Sequence, residues 1–383
     1  MQGRLESFAA GALLLGLAFS LKIALANIIL TIAFLTWVAA LVRGSARRPH
    51  TVLLLPLLAW VGVSVLAALM SADPLYSFTE LPGLLTLVLV PMIVSLLDGR
   101  RWERLLLLLA SVGSISAVVG LLQYARGASS LEHRLHGLTT HYMTFAGWTL
   151  VVTLLLVADI VFGRDRRRLM WTVPAATLCT TALLLGLTRG AWVGLAAGVG
   201  LAAAIARPRT LILLPMLAAT LVLALPRSIL ERAVSTFDSA QPSVQERIGM
   251  LHTGMAMVRD HPILGLGPAV MQSAYPEYRV STAPERIPHL HNNAVQIAAE
   301  RGLVGLGAYV AILAVFVVYA VRALRGPERA SRPAVAGCLL AVVGVTVAGL
   351  FEYNWGDAEV WILTLMCLAS PFALIPAEQS IYE

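Results

Sequence analysis

Residues 289–325 read HLHNNAVQIAAERGLVGLGAYVAILAVFVVYAVRALR, and the character of the chain changes at Gly302. From Leu303 to Ala323 the only charged side chain is Arg322. That run matches the ~20 apolar residues a helix needs to cross the hydrocarbon core of a bilayer. Before Gly302 stand two histidines, two asparagines, a glutamine, Glu300 and Arg301; beyond the apolar run stand Arg322 and Arg325. The stretch predicts a membrane-spanning helix with a basic end on one side and a histidine-bearing polar segment on the other.

The same alternation of apolar run and basic stop recurs along the chain. About twelve segments can be read, at 8–21, 23–42, 51–70, 81–97, 104–123, 141–162, 169–187, 190–206, 209–226, 303–323, 333–351 and 358–376. The first two are split at Ser20–Lys22, because one helix over 8–42 would overshoot the membrane. A cleaved leader over 1–26 is the competing reading there, since Ala24-Leu25-Ala26 resembles a small-residue cleavage site. The expected class is an all-α polytopic membrane protein. Residues 1–226 carry helices one to nine, 227–302 form a long outer loop with short helices, and 303–383 hold the last three helices and the C-terminal tail.

Composition agrees. Of 383 residues, 58% are hydrophobic and 13% charged, with a mean hydropathy of +0.80. A soluble domain averages roughly 45–50% apolar and about 25% charged, whereas lipid itself covers the apolar surface of a membrane protein. Net charge is +7, but the arginines form no single patch or arm, which sets nucleic acid aside. Cys179, Cys338 and Cys367 all lie in apolar runs and read as small buried hydrophobes.

Cytoplasmic loops concentrate Lys and Arg. Arg43/Arg47/Arg48, Arg100/Arg101/Arg104, Arg164/Arg166/Arg167/Arg168, Arg207/Arg209 and Arg322/Arg325/Arg329/Arg332 each follow an even-numbered span. With Arg4 they place seventeen basic residues on one side, against Lys22, Arg126, Arg134 and Arg189 in the short loops of the other. Both termini are therefore expected in the cytoplasm. The loops 71–80, 124–140, 227–302 and 352–357 are expected outside, as is a tight turn at Thr188–Gly190. Every histidine except His50 falls on or near that outer side.

Within the long loop, Val244, Ile248, Leu251, Met255 and Val258 recur at helical spacing, predicting a helix over 243–259. Asp260-His261-Pro262 stops it, and Gly265-Leu266-Gly267-Pro268 turns the chain. A second helix is expected over 269–278, and Pro284 and Pro288 mark an irregular segment. Asn293 is the expected N-cap of a third helix, with Gln296 completing a capping box and Gly302 ending it. His291 then precedes a helix N-terminus, whose partial positive charge favours an anion and disfavours imidazolium. A neutral imidazole there suits a general base acting on a hydroxyl. Asn292, Gln296 and Glu300 would form one polar stripe.

These residues carry a resemblance. His291-Asn292, nine residues, Gly302, two residues and Gly305 resemble the signature of O-antigen ligases, within the O-antigen ligase and polymerase superfamily. Arg247 followed by RDHPILGLGP (residues 259–268) is similar to the same family, as is Thr188-Arg189-Gly190-Ala191-Trp192, with Val193 where the family often has Leu. The resemblance implies a membrane-embedded glycosyltransferase like the GT-C class, in a bacterial inner membrane. It would take a glycan from undecaprenyl pyrophosphate on the periplasmic face and pass it to a sugar hydroxyl of lipid A–core, with no metal or other cofactor. The implied partners are that lipid-linked donor, the lipid A–core acceptor and membrane lipid. Arg189 and Arg247 would hold the pyrophosphate and His291 would be the base. His289, Asn292, Glu300, Arg134, Arg259 and Arg286 are further candidates for substrate contact. In the Arg134–Met143 loop, His136 and His141 either touch substrate or anchor the interface beside Tyr142.

The residue types suit this chemistry independently of the resemblance. A departing polyprenyl pyrophosphate gains negative charge, and arginine grips two phosphate oxygens while staying cationic. Three rival readings stay open. An O-antigen or exopolysaccharide polymerase, or a protein O-oligosaccharide ligase, would use the same donor. Asp357 and Glu359 offer an acidic pair of the kind that holds a divalent cation. A secondary transporter or flippase would suit the span count, although internal repeats and mid-span charges are scarce. No Walker motif, dinucleotide fingerprint or Cys/His zinc spacing appears.

Overall fold

The computed structural model describes residues 2–130, 133–206, 241–287 and 289–375. The expected span at 209–226, Arg207 and Arg209, the start of the long loop at 227–240, Pro288 and the C-terminal tail from 376 lie outside the described residues.

The eleven other apolar segments are all helical. In chain order they form α1 (Gln2–Ala18), α2 (Ile23–Val42), α3 (Leu54–Leu69), α4 (Pro74–Phe78), a 3₁₀ stretch (Leu81–Val88), α5 (Leu89–Leu96), α6 (Gly99–Ala125), α7 (Tyr142–Phe162), α8 (Leu169–Leu185) and α9 (Arg189–Ala206). The long loop holds α10 (Pro242–Asp260) and α11 (Val270–Tyr278), followed by α12 (Asn293–Arg325), α13 (Arg332–Ala348) and α14 (Ala358–Leu374). The chain is an all-α, multi-pass membrane protein. Of the about twelve expected crossings, seven correspond to helical stretches among the described residues that are long and apolar enough to cross a membrane, and one lies outside those residues. At 1.5 Å per residue, α3, α13 and α14, with 16, 17 and 17 residues, fall short of the ~30 Å hydrocarbon core. The segment expected at 81–97 starts earlier, as a broken helical run over Pro74–Leu96.

α5, α7, α13 and α14 are the most buried elements and form the centre of the bundle. α2 and α3 turn Ile28, Leu35, Leu55 and Leu58 outward, as lipid-facing helices do. Gly190, Gly194 and Gly198 make a stripe on α9 that lets neighbouring helices approach closely. A Cβ on Gly194 would meet the Gly344 carbonyl at 2.4 Å, and one on Gly198 would meet Leu154 Cδ2 at 2.4 Å. This packing fixes the start of α9, and hence Arg189, against α13.

α12 breaks at Gly302, where φ is 65° and ψ −172°. The break frees backbone groups that must find other partners, and the loop after α10 supplies them. Leu303 N donates to Pro262 O at 2.8 Å, while Leu266 N and Gly267 N donate to Ala299 O and Glu300 O at 2.8 and 3.0 Å. A Cβ on Gly302 would lie 2.0 Å from Ile263 O, so only glycine fits. Ser71 and Ser77 hold the same loop from below, donating to Leu266 O and Pro268 O, each at 2.9 Å.

Candidate active site

The segment 289–293 is clamped onto the turn between α13 and α14. Asn293 N donates to Gly349 O at 2.7 Å. Asn292 Nδ2 donates to Leu350 O at 3.0 Å, and Asn293 Nδ2 to Asn354 Oδ1 at 2.7 Å. Trp355 N donates to Asn293 Oδ1 at 3.1 Å. The helix cap is Asn292, whose side chain accepts from Val295 N at 3.0 Å. This corrects the expected Asn293, whose amide is consumed by the clamp. Gln296 still reaches back, accepting from Leu290 N at 2.8 Å.

The clamp brings Glu352 to both histidines. Glu352 Oε2 lies 3.0 Å from His291 Nδ1 and Oε1 lies 3.3 Å from His289 Nε2. The two rings meet edge to face, with centroids 4.2 Å apart, and His291 sits in the left-handed region at φ 51°. Burial alone would raise the Glu352 carboxyl. The hydrogen bond and charge of His291, then His289 and the Tyr353 N–H, outweigh it and hold the group below its ordinary range. His289 is pushed down to about 4, first by burial and then by His291 and His141, against the pull of Glu352. An ionised carboxylate only accepts hydrogen bonds. These contacts therefore fit protons on His291 Nδ1 and His289 Nε2, leaving His291 Nε2 with its lone pair.

His291 and Asn292 also line a cavity of about 220 Å³ together with Arg189 and Arg247. Its remaining walls are apolar, from α9, α10 and Leu350–Phe351. Arg134 stands close enough to repel both arginines. Its backbone is held by an isolated bridge to Ser129, and its guanidinium lies 4.3 Å from the centre of the Tyr142 ring. Burial, and then Arg247, keep Arg134 below its ordinary value despite Tyr142. Three cations and a histidine thus gather where a polyanion would be attracted.

The other expected contacts lie elsewhere. Glu300 is 6% exposed and is held by Gln296 Nε2 at 2.7 Å and Arg301 Nη1 at 2.6 Å. Arg301 in turn donates to Ser64 Oγ at 3.1 Å and stacks over Trp60, so Glu300 belongs to a buried network joining α12 to α3. Arg259 and Arg286 are exposed and do not line the cavity. His136 is turned to its own loop, with Nδ1 2.8 Å from Thr139 O. His141 caps α7 and lies near enough to His289 to disfavour protonation of that ring. Asp357 caps α14 and accepts from Thr144 Oγ1 at 2.6 Å. The group with metal-ligand spacing among the described residues is His289, His291 and Glu352. Glu352 is the residue that sequence reasoning missed; its place on the same outer loop as the suspected acidic pair was the available signal.

A larger cavity of about 550 Å³ lies at the opposite end of α7 and α9, lined by Arg164, Arg329, Arg332 and apolar side chains. It offers no acid, base or nucleophile.

Residues 174–310 match the family described as O-Antigen ligase, Wzy_C. A chain from a solved structure described as "Structural coordination of polymerization and crosslinking by a peptidoglycan synthase complex" is similar over 88% of this chain and 99% of its own, at 15% identity and a TM-score of 0.53. That likeness is one of fold. No curated protein matches the chain.

Proposed function

We propose that the protein is an O-antigen ligase, a reading supported by the match of residues 174–310 to that family. It transfers a glycan from undecaprenyl pyrophosphate to a sugar hydroxyl of lipid A–core at the periplasmic face of the inner membrane. The form proposed is a GT-C-like enzyme of about twelve spans with both termini cytoplasmic. The observation that carries this reading is the common cavity of Arg189, Arg247 and His291.

In the proposed step the acceptor hydroxyl oxygen attacks the anomeric carbon of the donor. The bond from that carbon to the pyrophosphate oxygen breaks, and undecaprenyl pyrophosphate leaves. His291 Nε2 takes the hydroxyl proton, and Glu352 holds the ring through Nδ1–H and stabilises the imidazolium that forms. Arg189 and Arg247 face the charge that grows on the leaving pyrophosphate, which lets fixed cations supply the stabilisation. Arg134 completes the basic wall. A base of this kind contributes about 10²–10⁴-fold.

The test is His291→Ala in full-length protein with lipid-linked donor and lipid A–core. Transfer is expected to fall by about 10²–10⁴-fold while the protein still inserts and folds. Wild-type transfer by that variant sinks the assignment. Lipopolysaccharide gels of a deletion strain separate the branches that share this donor. Loss of all capped lipid A–core with lipid-linked polymer retained marks a ligase, and single-repeat capping marks a polymerase.

A further inference from the structure

The transfer proposed above uses one nitrogen of His291, yet two histidines and a carboxylate converge beside it. Ligand atoms of His289, His291 and Glu352 all lie within 4.8 Å of one another, and the two nearest histidine–carboxylate distances are 3.0 and 3.3 Å. In a tetrahedral zinc site, bonds of about 2.0–2.2 Å set neighbouring donor atoms roughly 3.4 Å apart. The two histidine–carboxylate contacts, made to the two different carboxylate oxygens, are close to that spacing, and the widest separation among the three ligand atoms, at most 4.8 Å, needs only a side-chain adjustment to close around an ion. Two imidazoles and one carboxylate, with a fourth position left for water, form a donor set that zinc accepts and magnesium does not favour.

The three groups are also fixed in place. The left-handed turn at His291 sets its ring edge to face against that of His289. The clamp from Asn292 and Asn293 to the 349–355 turn positions Glu352, and Tyr353 N donates to its Oε1 at 3.1 Å. The site is thus built before any ion arrives.

We propose that His289, His291 and Glu352 form a binding site for zinc or a similar divalent transition cation, and that an ion bound there inhibits transfer. The inhibitory part rests on the reading of His291 as the base. Coordination through His291 Nδ1 requires that nitrogen to give up its proton. The neutral ring then carries its one proton on Nε2, the nitrogen that must accept the proton of the acceptor hydroxyl. The ion also takes up the carboxylate charge that would stabilise an imidazolium. No bond to substrate is made and no electron moves.

The experiment uses full-length protein purified in detergent and stripped with chelator. Zinc is titrated by calorimetry, and cobalt(II) is titrated by its visible absorption. One cation per chain is expected. His289→Ala and Glu352→Gln should each weaken binding by at least ~10-fold, while Glu277→Gln, an exposed carboxylate on α11, should bind as wild type. In the transfer assay, zinc should lower the wild-type rate in proportion to occupancy and EDTA should restore it. Equal zinc affinity in wild type and His289→Ala overturns the site. Undiminished transfer by zinc-loaded protein, or transfer that stops on chelation, overturns the inhibition. Failure of the base assignment shows itself separately, as full transfer by His291→Ala, while the binding titrations are judged on their own.

Discussion

Glu300 and Glu352 are both largely shielded carboxylates, and both neighbour Tyr353, yet they serve different ends. Glu300 is locked to Arg301, which also engages Ser64 and Trp60. A guanidinium stays charged at every accessible pH, so that pair has one state and acts as a fastening between α12 and α3. Glu352 faces two imidazoles instead. Imidazole, unlike guanidinium, can be neutral as well as charged, so in the proposed mechanism the same residue type becomes part of a proton-handling device. The partner, and its freedom to change state, separates scaffold from chemistry.

The largest expected effect tests the chemical half. Glu352→Gln keeps the shape but no longer enforces a proton on His291 Nδ1, nor does it stabilise imidazolium. Transfer should fall by about 10²–10⁴-fold with an unchanged melting profile in detergent. If that variant transferred at the wild-type rate while His291→Ala did not, Glu352 would join Glu300 as scaffold.

The scaffold half predicts the opposite pattern. Arg301→Met leaves the Glu300 charge buried and unpaired, at about 3–5 kcal/mol of stability. The Glu300→Gln/Arg301→Met double variant should recover much of that loss, as read from denaturation of the purified protein. A stable Arg301→Met protein with impaired transfer would reverse the contrast.

The smallest effect belongs to the cap. Asn292→Ala removes the acceptor for Val295 N and the clamp bond to Leu350 O, and should cost about 1–2 kcal/mol, with Asn292→Ser recovering most of the capping share. A loss of transfer beyond tenfold with both stability and zinc affinity intact, so that Glu352 is still in place, would move Asn292 from cap and clamp to substrate contact.

What could be read from sequence was local. Apolar runs gave helices wherever the structure describes them. The 3.6-residue period gave α10, Asp260-His261-Pro262 gave its end, and Gly302 gave the break in α12. Arg189, Arg247 and His291 were each named from motifs, and the structure puts them on one cavity. What escaped was tertiary. The 289–293 segment and the 349–355 turn are about sixty residues apart, and no periodicity announces that they bind each other. Asp357, the acid that stands out in the sequence, is spent capping α14, while Glu352 is the carboxylate that reaches the two histidines. The polar stripe of Asn292, Gln296 and Glu300 assumed a continuous helical face. Asn292 is non-helical, with φ −155° and ψ 120°, and Glu300 turns inward to Arg301.

The break at Gly302 has a consequence for how the chain tolerates length changes. In an unbroken helix, inserting or deleting one residue rotates everything beyond it by about 100°. Here the nine residues from Asn293 to Arg301 take their heading from the 262–267 loop and not from the phase of the helix beneath them. The spanning part of α12 can be lengthened, shortened or re-registered to suit a bilayer of different thickness, and His291 keeps its aim.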